Sequence, residues 1–484
     1  MPPHRQAVAV GGNAATDLQI VKMGKSNTRQ INNKGPIAKS YKELQALPKL
    51  EKANNFYPVR KASPWSITKS ILQSSEIGIQ NLNGLVQRII VDLKHDRIQE
   101  AVVKMGWVKD ITRLMLVISN YTNSPYYLKP LNGNLIKSTD RGNVDLENSL
   151  KKLDNKLINM LKRLSENSSN PLETQRDFLY KLSCLYRVTA YEIALFDNNL
   201  SKVQIPKNTS YSNFIGLKYL NLAIREPHLK GDTFFTQFRC IHQIPEILTS
   251  ELNSHLQIAI SNILKKKNQE AHKKLCIANS LFSIAVEALF PIVNNLTHDD
   301  YHKIRRNLGL TSGSHSVNIH FTLFRDIYSQ LASNFISLYW SDLASYKKII
   351  SQDYELKLIE IELLKLRNSI RLWRELHLHL PRTNLGEHEI KSLIGSKEAV
   401  EAARKMQINA NQKDPLNKVA ALYQDDYLVD TSTLSAYIMS KKSLDFYIGL
   451  EIGKITQKRF SDVQNRKGIF SDKPKFKNPK AKKA

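Results

Sequence analysis

Residues 75–121, SEIGIQNLNGLVQRIIVDLKHDRIQEAVVKMGWVKDITRLMLVISNY, repeat apolar side chains at steps of three and four. That is the spacing of one face of an α-helix, not the alternation of a half-buried strand. The same period recurs outward from this stretch. Residues 144–195 read as two helices divided by SENSSNPLETQ, with Asn170 ahead of Pro171 as a start signal. DNNLSKVQIPKNTSYSN, residues 197–213, reads as a closing loop. Further helices are expected at about 231–266, 269–296, 313–338, 342–380, 396–407 and 431–448. Little length remains for sheet, and no repeat of 20 to 50 residues is present, which argues against a solenoid. The expected fold class is all-α.

The 484 residues are 42% hydrophobic, 24% charged and 8% aromatic, enough apolar material for a substantial core. With 18 Gly and 17 Pro, collagen-like and wholly disordered chains are excluded. The best apolar run, Ala278 to Val293, is interrupted by Asn279 and Glu287 and reads as a core helix, so no membrane span is expected. The opening MPPHRQAVAVGGNAATD lacks the apolar run of a secretory signal, which points to a cytoplasmic protein. Cys184, Cys240 and Cys276 are far apart and form no CxxC pair, so each is expected as a small buried hydrophobe.

The net charge of +27 is concentrated at the ends: residues 1–60 carry +7 and residues 454–484 carry +9. The tail SDKPKFKNPKAKKA has six lysines in its last twelve residues, spaced by proline, and reads as a flexible basic arm. Nucleic acid or an acidic partner is expected only through these ends. The organisation that follows is a disordered basic lead-in over 1–62, an N-terminal helical block over 63–205, a helical core over 206–452 and a basic flexible tail over 453–484.

Three segments carry candidate chemistry. In GDTFFTQFRCIHQIPEILTSELNSHLQIAI, Phe238 and His242 are four apart, so an aromatic ring and an imidazole share one helix face; Pro245 kinks this helix or marks its first turn. A packed Phe–His pair is the plainer reading. In RRNLGLTSGSHSVNIHFTLFRDIYSQL, the small polar run Thr311, Ser312, Gly313 and Ser314 precedes a helix starting near His315, an arrangement suited to anions and, more simply, to an N-cap. In LKLIEIELLKLRNSIRLWRELHLHLPRTNLG, Leu366, Ile370, Trp373 and His377 form a stripe ending in an imidazole, and Pro381 is expected to stop the helix. His379 lies about 200° round the same helix, so it and His377 cannot share one metal.

Together and in this order, the three segments resemble the tryptophan 2,3-dioxygenase superfamily of histidine-ligated haem enzymes. FRCIHQIPEI supplies Phe238, His242, Gln243 and Glu246 of the signature F-x-x-x-H-Q-x-x-E-L, with Ile247 at Leu. SGSHSVNIH matches S-G-F-Q-S-x-Q-F-R at Ser312, Gly313 and Ser316, and puts Ser314, His315, Asn318 and His320 at Phe, Gln, Gln and Arg. Trp373, Arg374, His377 and Gly386 match W-R-x-x-H and its following Gly. The resemblance covers about residues 230–400. His320 stands where the dioxygenases place the carboxylate-binding Arg, and their GTGGSSG loop is replaced by NLGEHEIKSLIGSKEAVEAARK, whose Gly395-Ser396-Lys397 turn suits an anion. These departures look more like the divergent branch that contains monodechloroaminopyrrolnitrin synthase.

The resemblance implies a large helical bundle of the tryptophan/indoleamine dioxygenase type with an added N-terminal helical block and disordered basic ends. It implies haem b, with His377 as axial iron ligand and Trp373 and Arg374 against the cofactor. His242, His320 and Ser312 become the catalytic polar groups; Phe238, Gly313, Ser314 and His315 become the substrate contacts. The activity implied is oxygenation or ring rearrangement of an indole-like or other aromatic small molecule with dioxygen or peroxide, and a homo-oligomer is compatible with it. The alternative from another class is a non-catalytic helical scaffold or effector with a decayed haem site that binds an anionic partner through its basic ends.

Overall fold

A computed structural model describes residues 64–166, 173–224, 233–302, 319–385 and 399–423, apart from 128, 131, 138–139 and 142. Helix makes up 85% of these residues, so the chain is mostly helical. In chain order the helices are α1 (Pro64–Lys94), α2 (Ile98–Asn120), α3 (Asn143–Glu166), α4 (Glu173–Ser201), α5 (Tyr211–Ile215), α6 (Leu217–Ile224), α7 (Thr233–Leu264), α8 (Asn268–Glu287), α9 (Phe290–Asn295), α10 (Ile319–Tyr339), α11 (Leu343–Gln352), α12 (Tyr354–Leu385), α13 (Ala399–Gln412) and α14 (Asn417–Ala420). The expected helix at 431–448, the lead-in 1–62 and the tail 453–484 lie outside the described residues.

The core is built on α1. Ile67, Ile71, Leu72, Ile77, Ile79, Leu82, Leu85, Val86, Ile89 and Leu93 are all fully buried. A helix apolar around most of its circumference must be covered on several sides, and α1 packs on α2, α3 and α7. Gly78 lets α2 come close: a Cβ there would stand 1.9 Å from Met115 Sδ. The polar groups that α1 buries find partners across the core. Ser66 donates to Glu251 of α7 at 2.8 Å, Gln73 donates to the Ile215 carbonyl at 2.9 Å, and the Tyr211 hydroxyl donates to Glu76 at 3.0 Å. The 63–205 and 206–452 blocks thus share one hydrophobic core.

α1–α2 and α7–α8 are two versions of one hairpin. Gln73, Glu76, Ile77, Leu82, Asn83, Gln87, Ile90, Gln99, Glu100, Ala101 and Lys104 recur 170 residues later as Gln243, Glu246, Ile247, Leu252, Asn253, Gln257, Ile260, Gln269, Glu270, Ala271 and Lys274. Their corners agree to the residue. Asp96 and Lys266 both hold left-handed backbone, at φ 57° and 55°. Behind each, a backbone N–H closes a wide capping turn, Arg97 to the Asp92 carbonyl at 2.9 Å and Lys267 to the Asn262 carbonyl at 2.8 Å.

Several expectations are corrected. The segment 197–213 is not a loop throughout: α4 runs to Ser201, and β2 (Gln204–Pro206) pairs antiparallel with β1 (Gly133–Leu135), Asn134 opposite Ile205. A three-residue strand is too short to show a period. The single helix expected at 342–380 is two, because Asp353 is extended and its Oδ1 accepts from the Leu356 N–H at 2.9 Å, capping α12. Asp342 caps α11 in the same way through the Ser345 N–H. The apolar run Ala278–Val293 is divided at Ala288–Leu289, with Pro291 in the first turn of α9. Pro381 does not stop α12, which continues to Leu385. A proline removes one helical bond and leaves its neighbours in place, a loss that a long packed helix can absorb. Pro245 sits inside α7, not at its first turn. Cys184 is exposed rather than buried.

The hairpin comparison isolates one misfit. His255 occupies the position of Leu85, is fully buried, and neither ring nitrogen has a hydrogen-bond partner among the described residues. Burial, reinforced by the Lys274 charge, lowers its pKa to about 3 from 6.5. Between these values the unfolded chain binds a proton that the folded chain refuses. Protonation therefore adds no cost above about pH 6.5, and below it stability falls by up to about 1.4 kcal/mol per pH unit. His255→Leu is expected to flatten this acid limb of the urea-unfolding profile and, by removing two buried unpaired nitrogens, to raise stability at pH 8 by about 1–3 kcal/mol. At the corner of the same hairpin, Lys266→Gly should raise the unfolding free energy by about 1 kcal/mol by relieving left-handed backbone strain, read from the urea midpoint.

Candidate functional site

α7 and α12 meet at an aromatic and imidazole cluster drawn from two of the three sequence segments. One turn of α7 stacks Phe238 on His242, ring centres 4.2 Å apart, and one turn of α12 stacks Trp373 on His377 at 3.9 Å. The two imidazoles face each other across the helix contact, with centres 6.3 Å apart and planes at 90°. Four-residue spacing on each helix produces the stacks.

His242 has a defined protonation state. Its Nδ1 lies 2.7 Å from the Phe238 carbonyl oxygen, which can only accept, so Nδ1 carries the proton. Burial lowers its pKa, and the backbone contact opposes this only in part. The ring is therefore neutral at neutral pH, with the lone pair on Nε2, the state in which an imidazole ligates a metal or accepts a proton.

Arg374 is drawn into a second cluster on the same helix. Arg367, Arg371 and Arg374 recur at helical steps on α12, and among the described residues one buried carboxylate, Asp414, faces them. Arg367 Nε lies 3.5 Å from Asp414, which also accepts from the Tyr328 hydroxyl at 3.0 Å. Arg374 donates to Asn411 at 2.8 Å and Arg367 to Asn417 at 2.7 Å. Burial, more than the neighbouring guanidinium charges, lowers the pKa of both Arg367 and Arg374. The arginine spacing is visible in the sequence, but Asp414 and Asn417 approach only through the fold. Of the remaining segment, Ser312, Gly313, Ser314 and His315 lie outside the described residues, as does the Gly395-Ser396-Lys397 turn. His320 falls in the first turn of α10, with its side chain outside the description.

The cluster can be tested against haem. With metal–nitrogen bonds of about 2.0–2.1 Å, two imidazoles on opposite sides of one metal stand about 6.4 Å apart between centres. The observed 6.3 Å matches that distance. Two imidazoles packed edge to face also take this spacing, so the distance names His242 and His377 as the side chains that would meet a metal here and goes no further. Arg374 lies one turn before His377 on α12 and is engaged by Asn411. Dioxygen and an aromatic substrate on the His242 side need more room, since stacked carbon atoms alone stand about 3.5–4.0 Å apart.

No protein-family model, curated protein or solved structure matches this chain. The arginine cluster yields its own prediction. Asp414→Asn removes the carboxylate that offsets it, and should cost about 3–5 kcal/mol in a denaturant titration, the size expected when one partner of a buried pair is removed.

Proposed function

We propose that the chain is a haem-binding oxidoreductase acting on an indole-like or other aromatic molecule. The observation that carries this reading is the meeting of His242 and His377, from segments 135 residues apart in sequence, at the spacing of two imidazoles about one metal. His377, packed against Trp373, would hold the iron, and Arg374 would offer positive charge to the cofactor's carboxylates. Bound haem would activate dioxygen or peroxide, the oxidant, and the chain supplies position and polarity. Phe238 offers a flat apolar wall to an aromatic ring, and His242 Nε2 accepts a hydrogen bond or a proton from the substrate's polar edge. For substrate to enter, His242 and its Phe238 wall must withdraw from His377 by about the thickness of one ring.

The 6.3 Å separation leaves no room for a substrate between the two imidazoles, which favours a second reading, a non-catalytic helical scaffold with a decayed haem site that binds anionic partners through its basic ends. The two readings part on an absorption spectrum of the full chain expressed with haem precursor, recorded oxidised and then reduced under carbon monoxide. The enzyme reading expects one haem per chain with a Soret band, loss of that band in His377→Ala, and an altered ligand signature with haem retained in His242→Ala. A chain that stays colourless after reconstitution, and holds anionic polymer in a salt-sensitive way, overturns it in favour of the scaffold.

A further inference from the structure

The seam between α8 and α12 carries a separate constellation. His272 and Cys276 are four apart on α8, and Glu362 projects from α12; one donor atom of each lies within 4.8 Å of the others. Cys276 and Glu362 are buried, with His272 at the rim. Cys276 Sγ lies 3.3 Å from His272 Nε2. Asn279, one turn further along α8, holds Glu362 in place by donating to its carboxylate at 2.7 Å and to its backbone carbonyl at 2.8 Å. The Tyr126 hydroxyl lies against the thiol from the surface side, its ring 41% exposed. Helix rise puts Glu362 about 22 Å along α12 from His377, so the two sites are distinct.

We propose that His272, Cys276 and Glu362 form a Zn²⁺ site with an open fourth position beside Tyr126. Nitrogen, thiolate sulfur and carboxylate oxygen are ligands that zinc takes together, and three protein ligands leave one position for water or a small anionic ligand. A thiolate and a carboxylate neutralise the divalent charge. The Lys365 ammonium, 2.7 Å from Glu362 Oε1 and on a side chain 57% exposed, is the cation that now meets this carboxylate, and it can turn out to solvent. Asn279 is the outer residue that orients the carboxylate. Binding forms a Zn–S bond and releases the thiol proton to solvent.

The duplicated hairpin supplies an independent control. At the positions of His272, Cys276 and Asn279, the α1–α2 hairpin has Val102, Gly106 and Lys109. A hairpin of this shape therefore has no structural need for an imidazole or a thiol there. A nucleophilic role for Cys276 fits less well, because burial, aided by the Glu362 charge, raises its pKa and keeps it a protonated thiol without a cation.

The test is titration of the metal-free full chain with Co²⁺, which reports thiolate ligation by colour. One equivalent should produce tetrahedral absorption with a sulfur-to-cobalt charge-transfer band, and Zn²⁺ should displace it stoichiometrically. Cys276→Ser should lose the charge-transfer band, Cys184→Ser should keep it, and Asn279→Ala should weaken binding about ten- to a hundredfold. His272→Ala, at the rim, should abolish tight binding with an unchanged circular dichroism spectrum, which covers the case in which the serine variant misfolds. No cobalt spectrum in the parent protein, or an undiminished band in folded Cys276→Ser, overturns the site. Neither result depends on whether haem is bound.

Discussion

The structure depends on burying α1. Its apolar surface runs around most of the helix, and no single neighbour can cover it. α2 folds back on it through the Asp96 corner, α3 covers another side, and α7 closes a third with Ser66 and Glu251 joined across the contact. Once α7 is held this way, its own hairpin partner α8 is placed. α12 then lies along α8, and α10 along α7. Both constellations of chemically capable residues sit on these dependent helices, His242 on α7 and His377 on α12, His272 and Cys276 on α8 and Glu362 on α12.

The duplicated hairpin separates what the architecture needs from what was added to it. Gln243 and Glu246 recur as Gln73 and Glu76 in the other hairpin. There Gln73 and Glu76 tie α1 to α5. His242 stands where the first copy has Leu72. His255 in place of Leu85, and Asn262 in place of Asp92, are further departures in the second copy. The latter leaves Lys274 without the carboxylate that Lys104 finds in Asp92. The second hairpin thus carries polar and titratable groups where the first carries apolar or paired ones, a pattern expected where a scaffold accommodates chemistry at some cost in stability.

Charge follows the same division. The ends hold much of the net positive charge. Within the core the cations are locally offset: Lys104 and Arg97 meet Asp92, Arg141 meets Asp197 at 2.9 Å, and Lys365 meets Glu362. The arginine row of α12 is the departure, with three guanidinium groups around Asp414. Burial lowers the pKa of Arg367 and Arg374, so the fold depends on Asp414 to offset a charge that is costly to bury.

Helical class, the approximate bounds of α3, α7 and α10, and the pairing of Phe238 with His242 and of Trp373 with His377 were legible in the sequence, because each depends on neighbours three or four residues away; the corner that divides residues 75–121 into α1 and α2 was not. The breaks at Asp353 and Ala288–Leu289 were harder to see, since a cap or a turn of two residues hardly disturbs an apolar period. The short β1–β2 pair was hidden because its partners are some seventy residues apart and each strand has three residues. His242 against His377, Asp414 against the arginines, and Glu362 against His272 and Cys276 were decided by tertiary structure alone. A one-dimensional period records which face of a helix is buried, but not which other face it meets, and every one of these contacts joins helices whose adjacency is set by the packing around α1.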